Sequence, residues 1–223
     1  VIVMLPSDQT TYPATLGLVL AGGLARRMGG GDKAFIEIGG VAILERALAR
    51  LRPACADVII NANGELGRFA RFGAPVVTDS VPDFAGPLAG ILSGLDWAAQ
   101  HSPATAWLVS APGDCPFLPD DLVPRLHAAR HAAGTLLACA KSQGRVHPVV
   151  GLWPVALREE MRRALVDEGL RKVELFASRH GVAVAEWPAT PIDPFFNVNT
   201  PEDVAEAERF ARTEEALTAR TRG

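Results

Sequence analysis

The sequence predicts a three-layer α/β domain, and two observations carry that prediction. Short, continuously apolar runs alternate with helical stretches from residue 16 to the C-terminus, as parallel strands covered on both faces would. The residues able to do chemistry then cluster where those runs stop, at 22–33, 61–63, 79 and 114. Ligands of an open α/β sheet sit beyond the carboxyl ends of its strands, so both observations point to one place.

The first strand is LGLVL at 16–20, closed by glycine. VAILERALARL at 41–51 repeats its apolar residues with the period of a helix. A strand follows at 57–60 within ADVIINAN, and ELGRFARFG forms a short helix stopped by Gly73. APVVTD is a strand running out at Thr78 and Asp79. Residues 87–100 form a helix with Pro87 in its first turn, where a missing N–H costs little. TAWLVSAPGD is a strand that ends just before Asp114. A helix at 119–132 forms despite Pro124, GTLLACA and 146–152 are strands, and 154–168 is helical. RKVELFASRHG is a short helix ended by Gly181, and VAVAEW is a strand. The last helix, TPEDVAEAERFARTEEALTAR, has Thr200 as its cap, Pro201 at its first position, and Glu202 and Asp203 at its positive end.

Residues 15–218 are expected to form a single domain, preceded by a flexible extension at 1–14 without the charged start of a signal peptide. With 223 residues, 48% of them hydrophobic, the chain can bury a full core. A net charge of −3 argues against a general nucleic-acid binder, and no run suits a membrane span. Cys55, Cys115 and Cys139 fit neither a CxxC site nor a disulfide framework and read as reduced thiols of a cytoplasmic protein.

The segment LVLAGGLARRMGGGDKAF, residues 18–35, carries the strongest chemical signal. Glycines let backbone N–H groups approach a ligand, and a turn of exposed N–H groups cradles an anion. Arg26, Arg27 and Lys33 add charge-assisted donors, so the segment suits a phosphate chain. It is not a P-loop, because Ala34 follows Lys33 where Ser or Thr is required, and the dinucleotide fingerprint GxGxxG is absent. Asp114, after an apolar strand, has the oxygen chemistry to hold Mg²⁺ against phosphates, although it also suits a cap for the helix from residue 119. Asn61 and Asp79 end separate strands and suit either base recognition or turn formation.

The segment from Leu20 to Lys33, LAGGLARRMGGGDK, resembles the signature of the molybdenum cofactor guanylyltransferases. The resemblance continues in GPLAG at 86–90, PGDCPFLP at 112–119, HPV at 147–149 and FFNVNTPEDV at 195–204. It implies a Rossmann-like nucleotidyltransferase fold with a mostly parallel, mixed central sheet. It also implies a Mg²⁺-dependent transfer of GMP from GTP to molybdenum-molybdopterin, with release of pyrophosphate. Lys33, Asp114 and Arg27 become the candidate catalytic residues, with Asp114 as metal ligand. Leu20, Ala21, Gly22, Gly23, Lys33, Asn61, Asp79 and Asp114 become the candidate nucleotide-binding set. Asp79 would accept from the N1 and N2 donors of guanine, a paired edge that cytosine lacks. Asn197 or Asn199 would support the metal or orient the pterin phosphate, although Asn199 equally suits a loop before the Thr200 cap; His147-Pro148 would help position the pterin, although His147 also suits a hydrogen-bonded loop. Where the family usually shows Cys before the aspartate, this chain has Gly113. The implied partners are small-molecule substrates, with transient contacts to molybdenum-insertion proteins and molybdoenzyme chaperones. Two alternatives stand beside this reading: a cytidylyltransferase acting on the same pterin, and a non-catalytic nucleotide-binding regulator.

Overall fold

The computed structural model of the chain describes residues 2–3, 12–22, 33–82 and 86–221, with 2–3 and 215–221 as backbone only. Its strands are β1 (Ile2–Val3), β2 (Tyr12–Pro13), β3 (Thr15–Leu20), β4 (Glu37–Ile38), β5 (Val41–Ala42), β6 (Asp57–Asn61), β7 (Val76–Val77), β8 (Trp107–Pro112), β9 (Leu137–Ser142), β10 (Arg145–Pro154) and β11 (Val182–Glu186). Its α-helices are α1 (Ile43–Leu51), α2 (Pro87–His101), α3 (Leu122–Ala133), α4 (Arg158–Val166), α5 (Val173–Ser178) and α6 (Pro201–Thr221).

Seven strands make the central sheet, in the order β11-β9-β10-β8-β3-β6-β7. β8, β3, β6 and β7 run parallel, which puts Leu20, Asn61, Val77 and Pro112 at one edge. β10 is antiparallel to both β8 and β9. The cause is local: β9 and β10 are joined by Gln143 and Gly144, both with positive φ (49° and 74°), a turn too tight for a crossover. The sheet is therefore mixed, as the resemblance implies.

Alternation along the strands explains the three layers. Leu16 and Leu18 of β3 and Ile59 of β6 pack with Leu88, Leu92 and Leu95 of α2, Met161 of α4 and Phe176 of α5. Val19 and Ile60 face the other way, onto Leu44 and Leu48 of α1 and Leu122 and Leu126 of α3. A third cluster joins Ile38 and Ile43 to Phe117, Val198, Ala207 and Ala211, seating α6 beside the carboxyl edge.

Several expected boundaries move for physical reasons. The helix expected at 41–51 begins at Ile43, because Val41–Ala42 pairs with Glu37–Ile38 through Gly39 and Gly40, both at positive φ. Pro124 is tolerated because it stands in the first turn of α3, where N–H groups have no helical partner. Pro154 ends β10 rather than opening a helix, and α4 begins at Arg158 after a short 3₁₀ turn. Tyr12 is buried, and its hydroxyl donates to Ala54 O at 2.9 Å. Among the described residues no helix is long and apolar enough to cross a membrane.

Candidate active site

A cavity of about 460 Å³ opens at the carboxyl edge of the parallel strands. Two main-chain bonds stitch its floor. Ala21 N–H donates to Asn61 O (2.8 Å), and Gly113 N–H donates to Leu20 O (2.8 Å). They hold the segment that leaves β3 between the ends of β6 and β8. The smallness of Gly113 matters here: a Cβ would stand 3.0 Å from Leu20 O.

One end of the cavity is a carboxylate held by two amides. The Asn61 side chain donates to Asp79 Oδ1 (3.0 Å), and Asn63 donates to Asp79 Oδ2 (2.8 Å). Asn63 Oδ1 in turn accepts from Asp79 N–H at 3.0 Å. Each carboxylate oxygen still has a lone pair free to accept from a ligand. Gly90 of α2 permits this packing, since a Cβ there would lie 2.4 Å from Asn61 Oδ1 and 2.6 Å from Leu20 Cδ2. The GPLAG sequence thus supplies a helix start at Gly86-Pro87 and, one turn on, a bare backbone against the strand ends.

The middle of the cavity holds the charges. Lys33 Nζ donates to Asn199 Oδ1 at 2.5 Å and lies 3.6 Å from Asp114 Oδ2. Asn197 donates to Asp114 Oδ1 at 3.2 Å. Asn199 is held in turn by the start of α6, where Asp203 Oδ2 accepts from the N–H groups of Asn199 and Thr200, each at 2.8 Å. Asp203 N–H donates back to Thr200 Oγ1 (3.2 Å), completing a capping box. Burial pushes the Asp114 carboxyl above the usual carboxylate range, and the charge of Lys33 only partly offsets it. Burial likewise drives the Cys115 thiol well above its ordinary value, which makes it a poor nucleophile.

The far wall is the first half of β10. Because β10 runs against β8, with Gly151 opposite Ser110, residues 145–150 pass the carboxyl end of β8. The pairing with β9 shifts register between His147 and Gly151, an irregularity that contains Pro148, whose missing N–H suits an interrupted ladder. His147 Nε2 is 2.8 Å from Ser142 Oγ, and its ring lies 4.9 Å from that of Phe195. Burial lowers its pKa; Asp193 opposes the shift and Arg145 adds to it. Arg145 lines the same wall.

Leu20, Ala21, Gly22, Lys33, Asn61, Asp79 and Asp114 therefore line one cavity, with His147 and Asn197. Gly23, Arg26 and Arg27 lie outside the described residues. The sequence assigns no individual role to Asn63 or Phe195, although both fall within stretches it marks, and it signals neither Arg145 nor the contact of Asn199 with Lys33. For Asn63 a signal existed, since it shares the strand end with Asn61. The others depend on the direction of β10 and on contacts across 166 residues, which no local pattern encodes.

Comparison with known proteins shows the family and the fold. The MobA-like NTP transferase domain family matches residues 17–186. A molybdenum cofactor guanylyltransferase of Nitrobacter hamburgensis is 58% identical over 199 residues, 89% of this chain and 95% of the relative. One of Rhodopseudomonas palustris is 57% identical over 200 residues, 90% and 95% respectively. Two solved structures share the fold. Molybdopterin-guanine dinucleotide biosynthesis protein A from Archaeoglobus fulgidus has a TM-score of 0.68 at 24% identity, covering 89% of this chain and 99% of its own. A CMP:2-keto-3-deoxy-manno-octonic acid synthetase complexed with CTP has a TM-score of 0.69 at 12% identity, covering 90% and 99%.

Proposed function

This chain belongs to the MobA-like NTP transferase family, and from that premise we propose that it transfers GMP from GTP to molybdenum-loaded molybdopterin. The products are the guanine dinucleotide form of the cofactor and pyrophosphate. The observation that carries the reading is the meeting of Lys33 and Asp114, 3.6 Å apart, between an amide-braced carboxylate and the β10 wall. A triphosphate held there has its base at one end and an open approach to its α-phosphorus from the other.

In this reading Asp79, fixed by Asn61 and Asn63, accepts from N1 and N2 of guanine, and a cytosine edge does not offer that pair of donors. Gly22 and Lys33 grip the phosphates, with Gly23, Arg26 and Arg27 as further donors of the same loop. A phosphate oxygen of the pterin forms a bond to the α-phosphorus of GTP, and the bond from that phosphorus to the pyrophosphate oxygen breaks. The nucleophile is already anionic near neutral pH, so no protein base is required. Alignment and charge stabilisation supply the rate.

The donor set fits magnesium. Among the described residues no three His, Cys, Asp or Glu side chains gather into a cage; Asp114 is the carboxylate that would hold a cation here, with phosphate oxygens and water supplying the other ligands. Asp114 is buried and Lys33 offsets only part of the cost of that burial, so a cation beside it would stabilise the carboxylate further. When bound, magnesium neutralises charge on the phosphates and the leaving group. The free thiols Cys55, Cys115 and Cys139 suit a cytoplasmic setting.

The test is a nucleotide panel of GTP, ITP, CTP and ATP with metal-loaded molybdopterin and magnesium, read by product mass. A product dominated by the GMP adduct is expected. Equal turnover of CTP would overturn the base assignment, and absence of any adduct would overturn the enzymatic reading.

A further inference from the structure

We infer that Cys115 is a positioning residue: its thiol fixes which way round the Asn197 amide stands, and so aims the amide N–H at Asp114. The inference rests on the reading of Asp114 as part of the reaction centre.

Cys115 follows Asp114 directly and is completely buried. Its Sγ lies 3.3 Å from Asn197 Oδ1 and 3.9 Å from Phe195 O, so the side-chain amide is the nearer acceptor. The other end of that amide donates to Asp114 Oδ1 at 3.2 Å. The two segments are pinned side by side by Val198 N–H donating to Asp114 O (2.9 Å). A carboxamide has two orientations that differ by exchange of its oxygen and nitrogen. A carboxylate only accepts, so the exchanged orientation would set two acceptors against each other. The S–H group meets the opposite requirement at the other end, because it donates and so selects the oxygen. Thiol and carboxylate thus agree on one orientation. Asn197 stands exposed at the cavity rim. Without a donor behind it, its amide is free to turn to water and release Asp114 Oδ1. Cys115 itself touches no cavity space, so its effect on the reaction runs through Asn197.

The test compares Cys115→Ala and Cys115→Ser in the natural chain and in an Asn197→Ala background. Three quantities are read: kcat with GTP and loaded molybdopterin, affinity for GTP with magnesium chloride by calorimetry without pterin, and Tm. Cys115→Ala is expected to lower kcat and GTP affinity about 3- to 10-fold, the loss of one hydrogen bond. Cys115→Ser keeps a donor and restores most of both. In the Asn197→Ala background Cys115→Ala is expected to change neither, while its effect on Tm persists. Equal functional losses in both backgrounds, or a Ser variant as impaired as Ala, would overturn the inference. Asp114→Asn separates it from the reading beneath it. Undiminished turnover of that variant would overturn the active-site reading, whereas its inactivity together with additive Cys115 and Asn197 effects would overturn this inference alone.

Discussion

The ammonium of Lys33 stands 3.6 Å from the carboxylate of Asp114, each group less than a quarter exposed, although 81 residues separate them in sequence. Their proximity is built by the parallel pairing of β3 with β8 and by Asn199, which holds Lys33 from the start of α6. Lys33→Ala and Asp114→Asn should each lower turnover by about 10²- to 10³-fold, the scale for removing one preorganised charge contact. Groups acting as a unit lose their effect together, so the double variant should be little worse than either alone. Pyrophosphate release with GTP and loaded molybdopterin checks this. A double variant impaired by the product of the two single losses would contradict the unit.

Base selection should depend on Asp79 and, through it, on Asn63. Replacing Asp79 by Ala removes the acceptor of two guanine donors and should cost about 10- to 100-fold in kcat/KM for GTP, the range for a hydrogen bond to a charged group. ITP lacks the 2-amino donor, so its penalty relative to GTP should shrink in that variant. Asn63→Ala frees Asp79 Oδ2 from its 2.8 Å bond and should move the GTP-to-ITP ratio the same way, by less. An unchanged ratio in Asp79→Ala would remove the carboxylate from base recognition.

The legibility of these residues in the sequence follows from where each one lies. Leu20, Asn61, Asp79 and Asp114 stand at or just beyond the ends of strands, and an apolar run that stops marks such a position by itself. The proposed phosphate loop rests on composition, because glycines and cations have few joint uses, and its residues 23–32 lie outside the described ones. The β10 wall is not legible, since Arg145 and His147 reach the cavity only because Gln143 and Gly144 reverse the chain and the irregularity containing Pro148 shifts it. Asn199 reads equally well as a turn residue before a helix cap. Its 2.5 Å contact with Lys33 has no local signal in the sequence.

Gly90 gives a prediction that joins stability to binding. A methyl group there would stand 2.4 Å from Asn61 Oδ1 and 2.6 Å from Leu20 Cδ2, well inside normal contact. Gly90→Ala should destabilise the protein by about 1–3 kcal/mol through overpacking. It should also raise KM for GTP more than it lowers kcat, because the displaced groups bind rather than react. Urea denaturation and steady-state kinetics measure the two effects, and a variant with normal KM would mean that α2 retreats without disturbing Asn61.

His127, on α3 beside the start of β3, should govern part of the acid stability. It is 4% exposed, stacks on Tyr12 with ring centroids 5.1 Å apart, and meets Trp107 edge-on at 5.6 Å. Thr15 donates its single hydroxyl hydrogen to Pro13 O (2.9 Å), so His127 Nε2 must donate to Thr15 Oγ1 (2.8 Å). That leaves Nδ1 buried without a hydrogen-bond partner among the described residues. Burial, and then the nearby charge of Arg130, push the imidazole pKa down to about 4. In the unfolded chain the same group titrates near 6.5, so between these values the unfolded state binds more protons. The stabilisation is complete above about pH 6.5, falls as pH drops towards 4, and is level below that. Its full span is about 3 kcal/mol. His127→Gln keeps a donor for Thr15 but cannot titrate, so its stability should vary less across this window than that of the natural chain. Urea midpoints at pH 7, 6, 5 and 4 test it, and parallel profiles for the two proteins would assign the acid sensitivity to other groups.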